Sequence, residues 1–186
     1  MINIKNTLFL LVLVGLFSGC SFKGYEYKAD VETINRLNDE DLKAVNIKSP
    51  LKSSIENEVS IPLRAAKMTS PYGSSFSDYI SYSLENQLKQ NDLVSANSNI
   101  QIKTMLMKNS VDIWGFSTAH YEISSQFIIE KDEEIVYDKL INIKHTFPSH
   151  FVGQIAIENG MTNYPVAVKK LIAKFLRDED VIKILK

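Results

Sequence analysis

The stretch 119–145 limits the possible folds more than any other. Two runs, AHYEISSQFIIE and EIVYDKLINIKH, flank the polar cluster around Lys131-Asp132-Glu133. Alternation with a period of two marks a half-buried strand, and two such runs about a short polar turn make an antiparallel hairpin. A slip of one residue turns every side chain to the other face, so apolar matching tests the register. A three-residue loop at 131–133 sets Ile129 against Ile135, Phe127 against Tyr137, Ser125 against Lys139, Ile123 against Ile141 and Tyr121 against Ile143. A two-residue turn at Asp132-Glu133 sets Phe127 against Asp138 and Ile123 against Asn142. The three-residue loop is therefore the expected register. It places His145 opposite Ala119 and turns His120 to the other face.

The flanking segments supply the rest of a small domain. Val59, Ile61 and Leu63 alternate with polar neighbours, and Pro62 points to an edge strand or strand start. TSPYGSS (69–75) is a turn cluster. Phe76, Tyr79, Ile80, Leu84 and Leu88 share one face of a predicted helix over 76–90, with Ser75 and Asp78 spaced as a capping box. Ile100, Ile102, Thr104 and Leu106 alternate as a further strand. FVGQIAI (151–157) reads as a short strand or a buried loop. Asn163 is expected to cap a second helix with Pro165 in its first turn. Val168, Leu171, Ile172, Phe175 and Leu176 form its apolar stripe, Lys169, Lys170 and Lys174 its solvated side, and residues 178–186 add a last turn. The sum is an α+β domain, a mainly antiparallel β-sheet with two amphipathic helices packed on one face. Residues 21–30 read as a tether plus a first extended segment, and 30–52, with Leu37, Leu42 and Val45, as a short helix or irregular arm.

The amino terminus carries a different kind of signal. One Lys, at position 5, precedes ten apolar residues (8–17) and the sequence Ser18-Gly19-Cys20. This is the outline of a secretory signal, and the apolar run is shorter than the ~20 residues that span a bilayer. The ending Leu16-Phe17-Ser18-Gly19-Cys20 resembles the lipobox of bacterial lipoproteins, with Phe17 where Leu is commonest. The resemblance implies cleavage before Cys20, a diacylglycerol thioether on its sulfur and an acyl chain on its new amino group. Ser21 after the cysteine favours, by analogy with enterobacterial sorting, the outer membrane. Cys20 is the only cysteine in 186 residues, so no disulfide within the chain and no multi-cysteine metal site is possible. The expected organisation is a signal peptide over 1–19, a lipidated cysteine, tether and arm over 20–57, and a periplasmic domain over 58–186.

Charge and motifs exclude more than they suggest. Loss of residues 1–19 removes Lys5 and leaves 20 basic against 22 acidic residues, which gives no electrostatic reason for nucleic-acid binding. His145 and His150 lack a usual ligand spacing and are separated by Phe147-Pro148, so no metal site and no cofactor is expected. There is no Gly-x-Ser-x-Gly elbow and no free thiol for catalysis, so no catalytic residues are assigned and a non-enzymatic protein is expected. Arg64, Lys67 and Tyr72 around the turn cluster, with Trp114 and Phe116 about Gly115, form the possible binding surface. Trp114 is expected to plug the end of the core more readily than to anchor an interface. Element order over about 58–180 is similar to the small YajG-type envelope lipoproteins of proteobacteria, supported by RAAKMTSPYGSSFSDY (64–79), FSTAHYEISSQF (116–127) and FVGQIAI (151–157). That resemblance implies a periplasmic accessory module, held to the membrane through Cys20, with an envelope protein as partner; a surface-displayed adhesin or antigen is the alternative, and a periplasmic enzyme a more remote one.

Overall fold

The computed structural model describes residues 20–186, and the expected signal peptide, 1–19, lies outside the described residues. The fold is α+β. Its strands are β1 (Cys20–Lys23), β2 (Asn46–Ile47), β3 (Ser60–Leu63), β4 (Ala66–Thr69), β5 (Ile100–Asp112), β6 (Thr118–Lys131) and β7 (Glu134–Pro148). Its helices are α1 (Val31–Asn38), α2 (Phe76–Lys89), α3 (Gly153–Leu176) and α4 (Glu179–Leu185). The strands form two sheets, ordered β1-β4-β3 and β2-β5-β6-β7. Both sheets are mixed, because β1 joins β4 and β2 joins β5 in parallel while the other pairs run antiparallel. The larger sheet is mainly antiparallel, as expected, with the short β2 as its one parallel member.

The two long helices lie on one face of the larger sheet, α2 over β5 and α3 over β6 and β7. Alternation in β6 buries Ala119, Tyr121, Ile123, Ser125, Phe127 and Ile129 beneath them. At the centre, the Tyr164 ring of α3 meets Phe76 and Tyr79 of α2 and Tyr121 of β6 edge-on, with centroids 4.9, 5.2 and 5.3 Å away. Each such pair is worth about 0.5–1.5 kcal/mol beyond the area it buries. The hydroxyls are satisfied: Tyr164 donates to Asn109 Oδ1 at 3.2 Å and Tyr121 to the Gly160 carbonyl at 3.0 Å. Packing is tight at Gly160, where a Cβ would meet the side chains of Leu63 of β3 and Ile113 at 3.0–3.1 Å. The small sheet thus docks against α3 at that point.

The hairpin register differs from the expected one by two residues. Ile129 faces Tyr137, Phe127 faces Lys139, Ser125 faces Ile141, Ile123 faces Ile143 and Tyr121 faces His145. The turn has two residues, Asp132 (φ 52°) and Glu133 (φ 70°), both left-handed, the turn whose twist matches paired strands. A bulge then accommodates Val136 between Ile135, opposite Glu130, and Tyr137, opposite Ile129. A shift of two keeps each side chain on its expected face.

Three further segments depart from expectation. The second helix begins at Gly153, ten residues before Asn163, and takes in most of FVGQIAI; Pro165 lies in its interior. Of the tether and extended segment expected over 21–30, the extended part is β1, which pairs with β4, while the tether part is tied down, with Tyr27 buried and its hydroxyl donating to Gln87 Oε1 at 2.7 Å. Leu37 and Val45 join the same core. Thr69, expected in the turn cluster, is the last residue of the strand β4 over 66–69, and Pro62 sits on the edge strand β3, where a missing N–H is tolerated. The Ser75 cap of α2 matches expectation, accepting from Asp78 N–H at 3.0 Å while donating to Asp78 Oδ2 at 2.8 Å.

Pro165 has no N–H to give the Met161 carbonyl one turn back, and its ring crowds that carbonyl, a cost of about 3 kcal/mol in a helix interior. Pro165→Ala is expected to raise the unfolding free energy by about 1–3 kcal/mol in urea titration. An unchanged or lowered midpoint would show that α3 depends on the proline.

Candidate functional site

The possible binding residues separate into two groups. Arg64 occupies the two-residue turn between β3 and β4 with φ 55°, a left-handed conformation that costs a non-glycine residue roughly 1 kcal/mol. Its guanidinium is a fork that spans two loops. Nε donates to the Ile113 carbonyl at 3.1 Å, one terminal nitrogen to the Phe151 carbonyl at 3.2 Å, and the other to the Gly115 carbonyl at 3.2 Å and Ser149 Oγ at 3.4 Å. Five N–H groups on a rigid plane make such multiple capture possible, and a lysine could not reproduce it.

The two loops so held present aromatic rings to solvent. Trp114 and Phe116 are each 72% exposed and Phe151 is 74% exposed, which corrects the expectation that Trp114 plugs the core. Gly115 makes the turn between the first two rings possible, because a Cβ at that position falls 2.3 Å from the Thr118 carbonyl. Phe116 and Phe151 lie 5.6 Å apart, centroid to centroid. Val152 and Ile155, at the start of α3, are also exposed. Phe151, Val152 and Ile155 escape a reading of the sequence that takes FVGQIAI as a strand or buried loop. The signal that could have found them is the missing polar cap, since α3 starts at Val152 with no side-chain cap while α1, α2 and α4 start on Asp30, Ser75 and Asp178.

Cys20 opens β1 directly beside Ala66 and is exposed. A groove of about 530 Å³ between β1, the Arg64 turn and the first turns of α3 is lined by Phe22, Tyr25, Arg64, Gly153, Ile157 and Met161, among others. Tyr25 crosses its rim to donate to Glu158 at 2.6 Å, and that carboxylate raises the pKa of the phenol. Lys67 is exposed on β4 between Ser21 and Pro62. Tyr72 belongs elsewhere: it follows the opposite end of β4, stacks on Tyr82 of α2 at 4.0 Å and accepts the Tyr27 N–H at 2.9 Å. The structure therefore brings Arg64, Trp114 and Phe116 together and leaves Tyr72 in a packing role.

The histidines are dispersed. His145, opposite Tyr121, not Ala119, is buried and its pKa is lowered by that burial, against the effect of Asn163. The neutral ring fits its partners, with Nδ1 taking the Lys170 ammonium proton at 2.9 Å and Nε2 donating to Asn163 Oδ1 at 3.0 Å. His120 lies on the other face, 3.6 Å from Glu122. His150 Nδ1 accepts the Val152 N–H at 3.0 Å. Among the described residues no three His, Cys, Asp or Glu side chains are arranged to hold a metal ion, and no helix is long and apolar enough to cross a membrane.

No family model and no curated protein matches the chain. Its fold is shared by the crystal structure of a DUF330 protein from Xanthomonas campestris, at 10% identity and a TM-score of 0.61, over 88% of this chain and 96% of that one. Less similar is a minor lipoprotein from Acinetobacter baumannii, at 10% identity and a TM-score of 0.45, over 77% of this chain and 95% of that one. At these identities the likeness is one of fold, established by the first structure.

The Arg64 fork carries a graded prediction. Arg64→Gly removes the hydrogen bonds but relieves the backbone, whereas Arg64→Ala removes the same bonds and keeps the strain. Arg64→Ala is expected to cost about 1–3 kcal/mol of unfolding free energy and Arg64→Gly roughly 1 kcal/mol less. Equal stability of all three proteins would contradict the role given to the fork.

Proposed function

We propose that this protein is a bacterial envelope lipoprotein, anchored by lipid at Cys20 in the outer membrane with its domain in the periplasm, where it serves as a non-enzymatic binding or accessory module. The observation that carries the reading is the single cysteine placed directly after Ser18-Gly19 at the end of the apolar run. Its position in the fold supports the same reading, because Cys20 is exposed at the first residue of β1. Two or three acyl chains give an anchor that one chain does not, at about 0.8 kcal/mol per buried CH₂. Confinement to a surface raises the concentration of the domain near a partner in the same envelope, so modest contacts suffice.

A binding role also has a surface to work with. Strand β7 is 15 residues long and lies at the edge of the larger sheet, so one row of its backbone donors and acceptors is open to strand addition. Ile135, Val136 and Leu140 are exposed along it. An envelope protein that adds a strand there is the partner this reading favours.

Membrane fractionation with intact-mass measurement tests the anchor. Wild-type protein is expected in the membrane fraction with the mass of a chain beginning at Cys20 plus its acyl groups. Cys20→Ala is expected to lose the acyl mass and either leave the membrane or persist as uncleaved precursor. Identical mass modification and fractionation in the two proteins would overturn the proposal.

A further inference from the structure

We infer that the aromatic apex formed by Trp114, Phe116 and Phe151 is a membrane-contact surface that inserts into the headgroup region of the bilayer holding Cys20. This rests on the lipid anchor proposed above and adds an orientation to it. The register places Cys20 next to Ala66, and Ala66 follows the Arg64 turn whose guanidinium grips the Gly115 and Phe151 carbonyls. Strand spacing and side-chain reach put the cysteine on the order of 20 Å from the apex loops, on one end of the molecule. Phe22 of β1 shares a groove with Arg64 and the first turn of α3, so apolar surface runs from the anchor strand toward the apex.

The chemistry of this end suits a lipid interface. Trp114 matches the amphipathic rings that concentrate at the boundary between headgroups and acyl chains, and Phe116 and Phe151 match the apolar side chains that interfacial segments bury beneath the headgroups. The first turn of α3 carries no acidic residue, and Val152 stands where the other helices have Asp or Ser. The opposite end of the hairpin carries Lys131, Asp132, Glu133 and Glu134 instead. That charged tip is separated from the apex by 14 residues of β6, about 40 Å. Seating the apex on the bilayer directs the tip away from the membrane and leaves the β7 edge open along its length.

Trp114 is the only tryptophan in the chain and reports on its own surroundings. The test uses protein purified from membranes, reconstituted in vesicles of phosphatidylethanolamine and phosphatidylglycerol, with its acyl mass measured in the same preparation. Tryptophan emission is expected to shift to shorter wavelength on reconstitution and to lose most of its intensity when the lipids are brominated on their acyl chains. The double substitution Phe116→Ser with Phe151→Ser, both at exposed positions, is expected to reverse most of that quenching while the far-ultraviolet dichroism stays the same. An acylated, vesicle-bound protein whose tryptophan stays water-exposed and unquenched would overturn the membrane-contact surface alone, and would favour a protein partner at the apex. A protein without acyl mass would overturn the anchor and this inference with it.

Discussion

One guanidinium ties together the parts that form one end of this molecule. Arg64 sits in a left-handed turn that a non-glycine residue avoids, and its fork captures carbonyls from two loops that are otherwise remote in sequence. The turn belongs to the small sheet that also holds β1, so the same residue links the strand beginning at Cys20 to the loops bearing Trp114, Phe116 and Phe151. Charged donors on neutral acceptors at this rim are strong enough to offset the backbone cost. The fork adds to the packing of Leu63 and Ile113 about Gly160 a direct tie between the small sheet and the aromatic loops.

Behind that end, the core is organised by aromatic contacts. Tyr164 touches both α2 and β6, and Phe127 of β6 stacks on Phe175 of α3 at 4.2 Å further along. Burial pushes the phenols of Tyr121 and Tyr164 far above their ordinary pKa, so both remain neutral donors with acceptors in place. A helix as long as α3 tolerates Pro165 because Tyr164, Ala167 and Val168 on either side of it are buried. Asn163 and Thr162 turn their side chains back onto the carbonyls of Asn159 and Glu158 in the same stretch. Packing therefore overrides a local preference to break.

Much of this architecture is legible in residue patterns that depend on nearest neighbours along the chain. The α2 face and its Ser75 cap, the edge position of Pro62 and the inward set of β6 follow from periodicities of 3.6 and 2. What escapes a linear reading depends on contacts distant in sequence or on the backbone itself. The two-residue turn and the bulge at Val136 together shift the hairpin by two residues and so move no side chain to the other face, while apolar matching, which favours Phe127 opposite Tyr137 over the observed Lys139, selects the unshifted register. Asn163 and Pro165 mimic a helix start, and only packing shows that the helix is already ten residues old. The pairing of β1 with β4 joins segments more than forty residues apart, and Arg64-Ala65 has none of the usual turn residues. Of the candidate site, Arg64, Trp114 and Phe116 are visible in the sequence as unusual residues; their partnership with Phe151 arises through the pairing of Thr118 with Pro148, the Ser149 N–H bond to the Ser117 carbonyl and the Arg64 fork, all of them contacts distant in sequence.

In the proposed reading, the lipid signal, the register of β1 and the exposed rings together describe a domain fixed at one end and free at the other. Photoreactive phospholipids in the native membrane test this arrangement most directly, through the peptides they label. The account predicts crosslinks in peptides carrying Trp114, Phe116 and Phe151, and none in the peptide spanning the Asp132-Glu133 turn. Labelling at that turn, or absence of any labelled peptide beyond Cys20, would contradict it.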